Sequence, residues 1–384
     1  MIERALAGGR GYRAWISVLV ALVALGALAY RRQLEDGLGI TGMSRDVSWG
    51  LYVAQFTFLV GIAASAVIVV LPYALHDVKE FARLALLGEM LAISAVSMCL
   101  LFIFADMGQP TRILNVILFP SPRSPMFWDM IVLSGYLVLN AVIAKASLDA
   151  ERKAQPSPAW VRPLVLLSIP WAISIHTVTA FLYSGLAARP FWMTALLAPR
   201  FLASAFASGP ALLILVLLVL RRVTRFDAGR EAVGRLATIA TYALATSVFF
   251  LLVELFTALY GSIPEHVSHF EYLFLGSGGG RTLVPWGWAA EVLAVLALVL
   301  LLLPSTRRRE ATLVVACVSI FASIWIEKGL GMIVTGFVPS PLGKVARYVP
   351  TVPEVLIALG IYGAGLLLLT VLTRAALSVR GELA

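Results

Sequence analysis

Two aspartates, Asp106 and Asp129, stand where two long apolar runs of the sequence meet. The stretch between them, DMGQPTRILNVILFPSPRSPMFWD, also carries Arg112 and Arg123. Carboxylates at such a boundary can accept protons or hold a polar ligand, and an arginine can keep a carboxylate ionised through a charge-assisted hydrogen bond. The alternative interpretation is a polar turn between two helices. The residues alone leave both interpretations open.

Further ionisable side chains lie inside apolar runs, where each costs at least about 2.5 kcal/mol in a membrane and is a functional candidate by default. They are Glu89, His176, Glu254, Glu291, Glu327 and Lys328. We predict that the five other than His176 transfer protons, with paired structural contacts as the alternative. The helix of Glu254 also carries Ser247 and Thr257, and the three residues form a polar stripe. This stripe could carry protons, or it could only hold neighbouring helices together.

Histidine and cysteine positions bear on haem, metal and disulfide sites. His176 alone lies deep in an apolar run, whereas a b-type haem held between helices needs two facing histidines, so we predict no haem. Cys99 and Cys317 both lie in apolar runs, which predicts neither a disulfide framework nor an iron–sulfur cluster. His266 and His269, in a predicted outer loop, lack the further ligands that zinc requires.

The elements that must position these groups are membrane-spanning helices. Of 384 residues, 60% are hydrophobic and 13% are charged, against about a quarter charged in globular proteins. Apolar runs of roughly 20 residues, the length that crosses about 30 Å of hydrocarbon, lie near 14–30, 50–75, 84–105, 128–148, 163–186, 201–220, 236–260, 286–304, 310–337 and 353–373. We predict an all-α integral membrane protein with about ten transmembrane helices.

The distribution of basic residues predicts an orientation. With the N-terminus in the cytoplasm, 19 of the 30 Lys and Arg residues fall on cytoplasmic segments and 10 on outer ones, and Lys328 lies within a span. The positive-inside rule therefore places both termini in the cytoplasm, and it explains the net charge of +9 without nucleic acid. No connection is long enough for a soluble domain, so any cluster, flavin or nucleotide must belong to a partner. The GSGGG run at 276–280 lacks a Walker context and predicts an outer turn.

Several motifs resemble those of the NrfD/PsrC family, the quinone-interacting membrane subunits of modular respiratory complexes. They are DVSWGLYV (46–53), DMGQPTR (106–112), SPMFWD (124–129), SIHTVTAFL (174–182), ARPFW (188–192), IEKG (326–329) and PSPLG (339–343). The resemblance thus spans nearly the whole chain. Within the family, the ten-helix pattern is most similar to the branch that serves the Dsr sulfite-reduction-associated complex, and next to a membrane protein of the alternative complex III.

The resemblance implies an architecture and a set of partners. It implies two four-helix bundles with one flanking helix at each chain end, divided at about 1–35, 45–190, 198–338 and 350–384. It implies menaquinone or ubiquinone as substrate in the bacterial cytoplasmic (inner) membrane, with no covalently bound cofactor. An iron–sulfur subunit like a ferredoxin is expected on the outer face. A multihaem cytochrome c, a haem b membrane subunit and a cytoplasmic iron–sulfur subunit are implied by the Dsr branch.

The resemblance also implies roles for residues at the outer ends of the third and fourth helices. Asp129 and Asp106 are the expected catalytic proton acceptors, although a histidine matches Asp106 in the alternative complex III relative. The expected quinone-binding residues are Gly108, Arg112, Trp128, His176 and Tyr183. The competing class is a secondary transporter or proton-conducting subunit without quinone chemistry, and a structural anchor is the third class. Gly- or Pro-broken helices at matching positions of the two halves, which would favour a transporter, are not evident.

Overall fold

The computed structural model describes residues 8–76, 78–276 and 281–383. Within these ranges ten helices are long and apolar enough to cross a membrane, and no strand occurs, which confirms the all-α fold. The helices are α1 (Arg10–Asp36), α2 (Leu51–His76), α3 (Ala82–Asp106), α4 (Pro125–Arg152), α5 (Val161–Ser184), α6 (Leu197–Val223), α7 (Arg230–Tyr260), α8 (Val284–Leu302), α9 (Glu310–Phe337) and α10 (Val352–Arg380). Most of the predicted GSGGG turn, 277–280, lies outside the described residues.

The helix ends follow from local sequence. Asp106 is the last residue of α3, because Pro110 has no backbone N–H to donate to the Asp106 carbonyl and Gly108 is a weak helix former. Pro125 begins α4, where its fixed φ suits the first helical position. At the start of α10, Thr351 and Glu354 form a reciprocal capping box. The predicted apolar runs are mostly shorter than the helices because polar and charged residues extend each helix beyond its apolar centre.

Eight helices form two rings of four. In the first bundle, α2 packs on α3, α3 on α4, α4 on α5, and α5 returns to α2. In the second bundle, α6, α7, α8 and α9 close in the same way. Contacts of α2 and α5 with α6, and of α2 with α9, join the two bundles. The limits that the sequence suggested for each bundle remain predictions.

The flanking helices α1 and α10 pack on each other, and α10 also packs on α3 and α4. Both therefore lie beside the first bundle. Their closest approach is at Gly26 and Gly360, where a Cβ added to Gly26 would lie 2.6 Å from the Cα of Gly360. Small residues at a helix crossing permit such an approach, which is how helices associate in a lipid phase that offers no hydrophobic drive.

An even number of spans places both ends of the chain on one side, here named the terminal face. Ion pairs on this face join distant segments: Arg380 donates to Glu151 at 2.9 Å and 2.6 Å, and Arg83 pairs with Glu382. The opposite side, named the loop face, carries the segment between Asp106 and Pro125. The two faces match the predicted division of the segments, and the compartment that each face meets remains a prediction.

Helix α9 contains a π-helical turn, Glu327–Gly331, in which Gly329 leaves helical geometry with ψ −116°. Turns of this kind change the direction of the side chains that follow, and they occur often at functional sites. Lys328 becomes a buried residue of the protein interior at this turn.

The segment around HVSH forms a helix, Pro264–Phe274, and not the loop that the sequence suggested. Pro264 starts it at the first position, and one face is buried through His269, Phe270, Tyr272 and Leu273. The Nδ1 atom of His269 lies 3.1 Å from the carbonyl oxygen of Val338, to which it must donate. The segment is too short for a membrane span, which is why a search for apolar runs missed it.

Candidate functional site

Asp129 is buried in the first bundle, with 5% of the residue exposed. It follows the first turn of α4, which Pro125 starts at the loop face. Its Oδ1 atom accepts a hydrogen bond from the hydroxyl of Thr179 on α5 at 2.6 Å. Because a carboxylate has about four acceptor positions, Asp129 retains capacity to accept a proton from a ligand.

His176 lies one helical turn before Thr179 on the same face of α5, deeper in the membrane. It is fully buried, and neither ring nitrogen makes a hydrogen bond within the described part of the chain. Lys328 lies close enough to interact with it electrostatically. An imidazole can take up one proton and release another, which suits transfer between neighbouring groups.

Aromatic residues close the first bundle toward the loop face. The hydroxyls of Tyr183 and Thr57 share a hydrogen bond between α5 and α2. Around the Tyr183 ring, the centroids of Trp49 and Trp192 lie 5.7 Å and 5.3 Å away, and the two indoles stack 5.8 Å apart. Flat aromatic surfaces of this kind suit a planar ligand ring. Trp49 and Trp192 lay within motifs quoted from the sequence, but nothing in the sequence indicated that they would meet.

Asp106 faces a different set of residues, on the α1 side of the first bundle. The Tyr52 hydroxyl donates to Gln33 at 2.7 Å, and the Gln33 amide donates to the end of the α3 backbone at 2.7 Å. The Oδ1 atom of Asp106 is buried without a hydrogen-bond partner among the described residues. Asp106 and Asp129 share no hydrogen bond, and they lie on different helices of the first bundle.

Arg112 does not hold either carboxylate, which corrects the expected charge-assisted pair. The helix ends at Asp106, and the 3₁₀ turn Pro110–Leu114 then carries Arg112 into an exposed position. No ion pair of Arg112 occurs among the described residues. Gly108 is also exposed and packs near Leu38, since an added Cβ would lie 3.2 Å from that side chain. Neither residue is brought to Asp129.

Trp128 faces outward and not toward Asp129, with 47% of the residue exposed. Adjacent positions on a helix differ by about 100° in direction, which separates the two side chains. The indole N–H of Trp128 donates to the carbonyl of Pro122 at 2.8 Å. The neighbouring segment exposes Leu114, Ile117, Leu118 and Phe119. Trp128 therefore belongs to an exposed apolar surface at the rim of the first bundle.

A second group of polar residues lies further along the interior of the first bundle. Tyr136 follows Asp129 by two turns on α4, and its hydroxyl is buried without a partner in the described ranges. Asn140 donates to the Tyr136 carbonyl at 2.8 Å. Glu89 on α3 is also buried, with one carboxyl oxygen unpartnered by the described residues. Polar groups thus continue from Asp129 toward the terminal face.

The second bundle contains a buried ionic cluster, here named the Arg200 cluster. Arg200 pairs with Glu254 and Glu327, and its Nε atom lies 3.0 Å from Glu327 Oε1. Glu291 interacts electrostatically with both Arg200 and Glu327. All four helices of the bundle contribute one member. The apolar run predicted near 201–220 begins just after Arg200, whereas α6 begins at Leu197 and therefore includes Arg200 in the bundle.

Lys328 lies where the two bundles meet, and it takes no part in the ion pairs of the Arg200 cluster. Its Nζ atom lies 4.1 Å from the centroid of the Phe201 ring and has no hydrogen-bond partner in the part of the chain described. Gly61 on α2 leaves room for it, because an added Cβ would lie 3.4 Å from Nζ. Lys328 thus lies between Phe201 of the second bundle and Gly61 of the first, whereas its neighbour Glu327 pairs within the second bundle.

Among the described residues, no group of three or more His, Cys, Asp and Glu side chains could hold a metal ion. Cys99 and Cys317 are both free and buried. The predicted lack of haem and of a cluster remains a prediction.

Comparison with known proteins gives a consistent set of matches. The family described as polysulphide reductase, NrfD, matches residues 39–338. A Halobacterium salinarum protein named as a dimethyl sulfoxide reductase membrane subunit is 28% identical, over 93% of this chain and 89% of its own length. The Hdr-like menaquinol oxidoreductase integral membrane subunit of Archaeoglobus fulgidus is 26% identical, over 74% and 71%. A selenate reductase subunit of Mesobacillus selenatarsenatis is 20% identical, over 77% and 76%.

Proposed function

We infer, because the chain belongs to the polysulphide reductase NrfD family, that it is the quinone-reactive membrane subunit of a respiratory redox complex. All three relatives are named as subunits of oxidoreductases, two of them as membrane subunits, and one oxidoreductase is a menaquinol enzyme. These names favour the redox class over the transporter class. In this proposal the chain exchanges electrons between a membrane quinone and an external iron–sulfur subunit.

The chemistry requires proton acceptors beside the quinol ring. A quinol that becomes a quinone loses two electrons and two protons, one proton from each ring hydroxyl. Asp129 accepts one proton, and the Thr179 hydrogen bond holds its carboxyl in place. His176 accepts the second, because both ring nitrogens are free of hydrogen bonds to described residues. The electrons leave through the partner subunit, and the same groups return protons when quinone is reduced.

The observation that carries the proposal is the position of Asp129. It is a buried carboxyl with one hydrogen bond, close to a cluster of aromatic rings and to the exposed apolar rim around Trp128. A lipid-soluble ring can approach along such a rim without crossing water. Asp106 serves as a further proton acceptor in this proposal, on the other side of the bundle.

The test replaces Asp129 by Asn, which keeps the shape and the acceptor for Thr179 but removes the base. Quinol-linked turnover of the intact complex should fall by about a hundredfold or more, as expected when acid–base catalysis is lost. The stoichiometry of the assembled complex should not change. Asp149→Asn is the matched control, because Asp149 lies on the same helix and is partly exposed near Arg152. Normal turnover of Asp129→Asn would contradict the assignment.

Two further substitutions test whether the quinone site lies in the first or the second bundle. Asp106→Asn should lower turnover less than Asp129→Asn does. Glu254→Gln should leave quinol binding intact, because Glu254 pairs with Arg200 and lies in the second bundle. Loss of quinol binding in Glu254→Gln with normal turnover of Asp129→Asn would move the quinone site to the second bundle.

The candidate proton-transfer residues also differ between the two bundles. We propose that Glu89 continues a route from Asp129 through the first bundle, where Tyr136 also lies. Glu254 and Glu327 are ion-paired with Arg200, which favours a structural role for both. For Glu291 and Lys328 proton transfer remains our prediction. Replacement of Glu89 by Gln should slow proton release while quinol binding persists.

The proposal also includes a partner subunit and the compartment that each face meets. We propose that the iron–sulfur subunit docks on the loop face, near Asp129, and that this face is periplasmic in a bacterial cytoplasmic membrane. Membership of the Dsr branch and its cytochrome partners remain predictions from motif resemblance. A reporter fused after Ala384 should report the cytoplasm, and one inserted near Ser277 should report the outside. The opposite pattern would reverse every compartment assignment.

A further inference from the structure

A cavity of about 250 Å³, here named the Gln55 pocket, lies away from the Asp129 site. It is formed by α2, the start of α8, the π-helical turn of α9 and the segment before α10. Most of its walls are apolar, and Trp286 and Trp325 contribute indole rings. Gln55 and Thr57 are two positions apart on α2, so they point about 200° apart. The pocket is therefore on the opposite side of α2 from the Tyr183 hydroxyl.

Gln55 is the buried amide of this pocket, and only 1% of the residue is exposed. The indole N–H of Trp325 lies 2.7 Å from its Oε1 atom, and the Tyr362 hydroxyl lies 2.6 Å from the same atom. An indole N–H can only donate, so the atom that faces it must be the amide oxygen. This fixes the orientation of the amide. The NH₂ group has no hydrogen-bond partner among the described residues.

Among the described residues that line the Gln55 pocket, no ionised group is available to a ligand. The lining includes Tyr348, whose hydroxyl accepts from the Leu51 backbone at 2.7 Å and donates to Glu354 at 2.8 Å. Burial raises the pKa of Tyr348, and Glu354 raises it further, so the phenol stays protonated. The pocket thus offers neutral hydrogen-bond donors, the Gln55 NH₂ group among them, and aromatic walls, and its described lining supplies no carboxylate or imidazole to take up a proton.

The size of the pocket suits a ring of one or two fused cycles. An engineered apolar cavity of about 150 Å³ binds benzene, and this one is larger and has a hydrogen-bond donor. Trp286 is 52% exposed, so the pocket reaches the protein surface at the start of α8. A ligand with a flat polar head and an apolar tail can enter from there.

We propose that the Gln55 pocket is a second quinone site, in which the Gln55 NH₂ group donates to one ring carbonyl. It binds the oxidised ring and performs no redox step, because its described lining lacks a group that could take or supply protons. This inference rests on the proposed use of quinone by the chain, but it does not depend on the chemistry at Asp129.

The test is a binding measurement on the purified full chain in lipid nanodiscs. Menadione, a naphthoquinone without a tail, is titrated, and the quenching of tryptophan fluorescence is followed. Gln55→Glu keeps an oxygen for Trp325 and Tyr362 but removes the NH₂ donor. It should weaken binding about tenfold, the scale of one buried hydrogen bond.

A second variant does not touch this hydrogen-bond network. Val349→Phe fills the pocket from the segment before α10 and should abolish the component of the quenching that Gln55→Glu weakens. Val352→Phe is the matched control, because Val352 is exposed and does not line the pocket, and its affinity should equal that of the wild type. Trp286→Phe should reduce the quenching amplitude.

Asp129→Asn distinguishes the two sites and should leave unchanged the quenching component that Val349→Phe removes, whatever it does to turnover. If Asp129→Asn removes the quenching while Gln55→Glu and Val349→Phe retain it, the inference is overturned. Lipids with brominated acyl chains provide the other decisive arm. If the brominated chains quench the fluorescence, and Val349→Phe removes this quenching but menadione does not, a lipid tail occupies the pocket. That result would also overturn the inference.

Discussion

Replacement of Arg200 by Met should destabilise the second bundle strongly. The side chains of Arg200, Glu254 and Glu327 are 14%, 10% and 19% exposed, so the charges are largely removed from solvent. Removing one partner of a buried ion pair typically costs about 3–5 kcal/mol, because the other charge remains buried and uncompensated. Since one arginine serves two carboxylates, we expect the upper part of that range for the free energy of unfolding.

The assay is unfolding of the purified chain by SDS in mixed micelles, followed by circular dichroism. A triple variant, Arg200→Met with Glu254→Gln and Glu327→Gln, removes all three charges and should recover most of the lost free energy. The reasoning fails if Arg200→Met unfolds within about 0.5 kcal/mol of the wild type, the usual range of surface changes. It also fails if the triple variant is no more stable than Arg200→Met.

Three further outcomes are expected. Gly26→Leu should lower the free energy of unfolding by about 1–3 kcal/mol, the usual cost of overpacking, because its Cβ would meet Gly360. Gly11→Leu is the control on the same helix, and it should leave the free energy of unfolding unchanged because the position is open. Burial lowers the pKa of His269. The neutral imidazole therefore contributes stability above about pH 6.5, and this contribution is lost as the pH falls through the lowered pKa. His269→Asn should make the melting temperature less dependent on pH in this acid range. The purified chain alone should show no stoichiometric haem absorbance, and a haem spectrum would refute the interpretation of His176 as unligated.

Hydropathy predicted the ten spans, because each needs about 20 mostly apolar residues to cross the hydrocarbon. It also singled out Asp129, Glu89 and Lys328, since charges in apolar runs are conspicuous. It could not say which of these groups meet. Contact between helices depends on small residues and on side-chain direction, and neither is visible in mean hydropathy.

The errors have physical causes. The predicted run near 201–220 left out Arg200 because a charged residue lowers the hydropathy of its window, although a paired arginine is tolerated inside a bundle. The resemblance implied that Trp128 binds quinone, and its side chain points away from Asp129 because neighbours on a helix point in different directions, so its quinone-binding role remains a prediction. The pairing of Gly26 with Gly360 joins positions near the two ends of the chain, and no local pattern connects them.

The packing of α1 against α10 imposes an order on biosynthesis. Helix α1 enters the membrane before the helices that follow it, but α10, which covers its glycine face, emerges only after the eight helices between them have been made. Until then the Gly26 surface stays open to lipid or to other proteins. A chain interrupted after α9 would keep both rings of four and expose that surface permanently. The uncovered face would then distinguish incomplete chains from finished ones before any partner subunit joins.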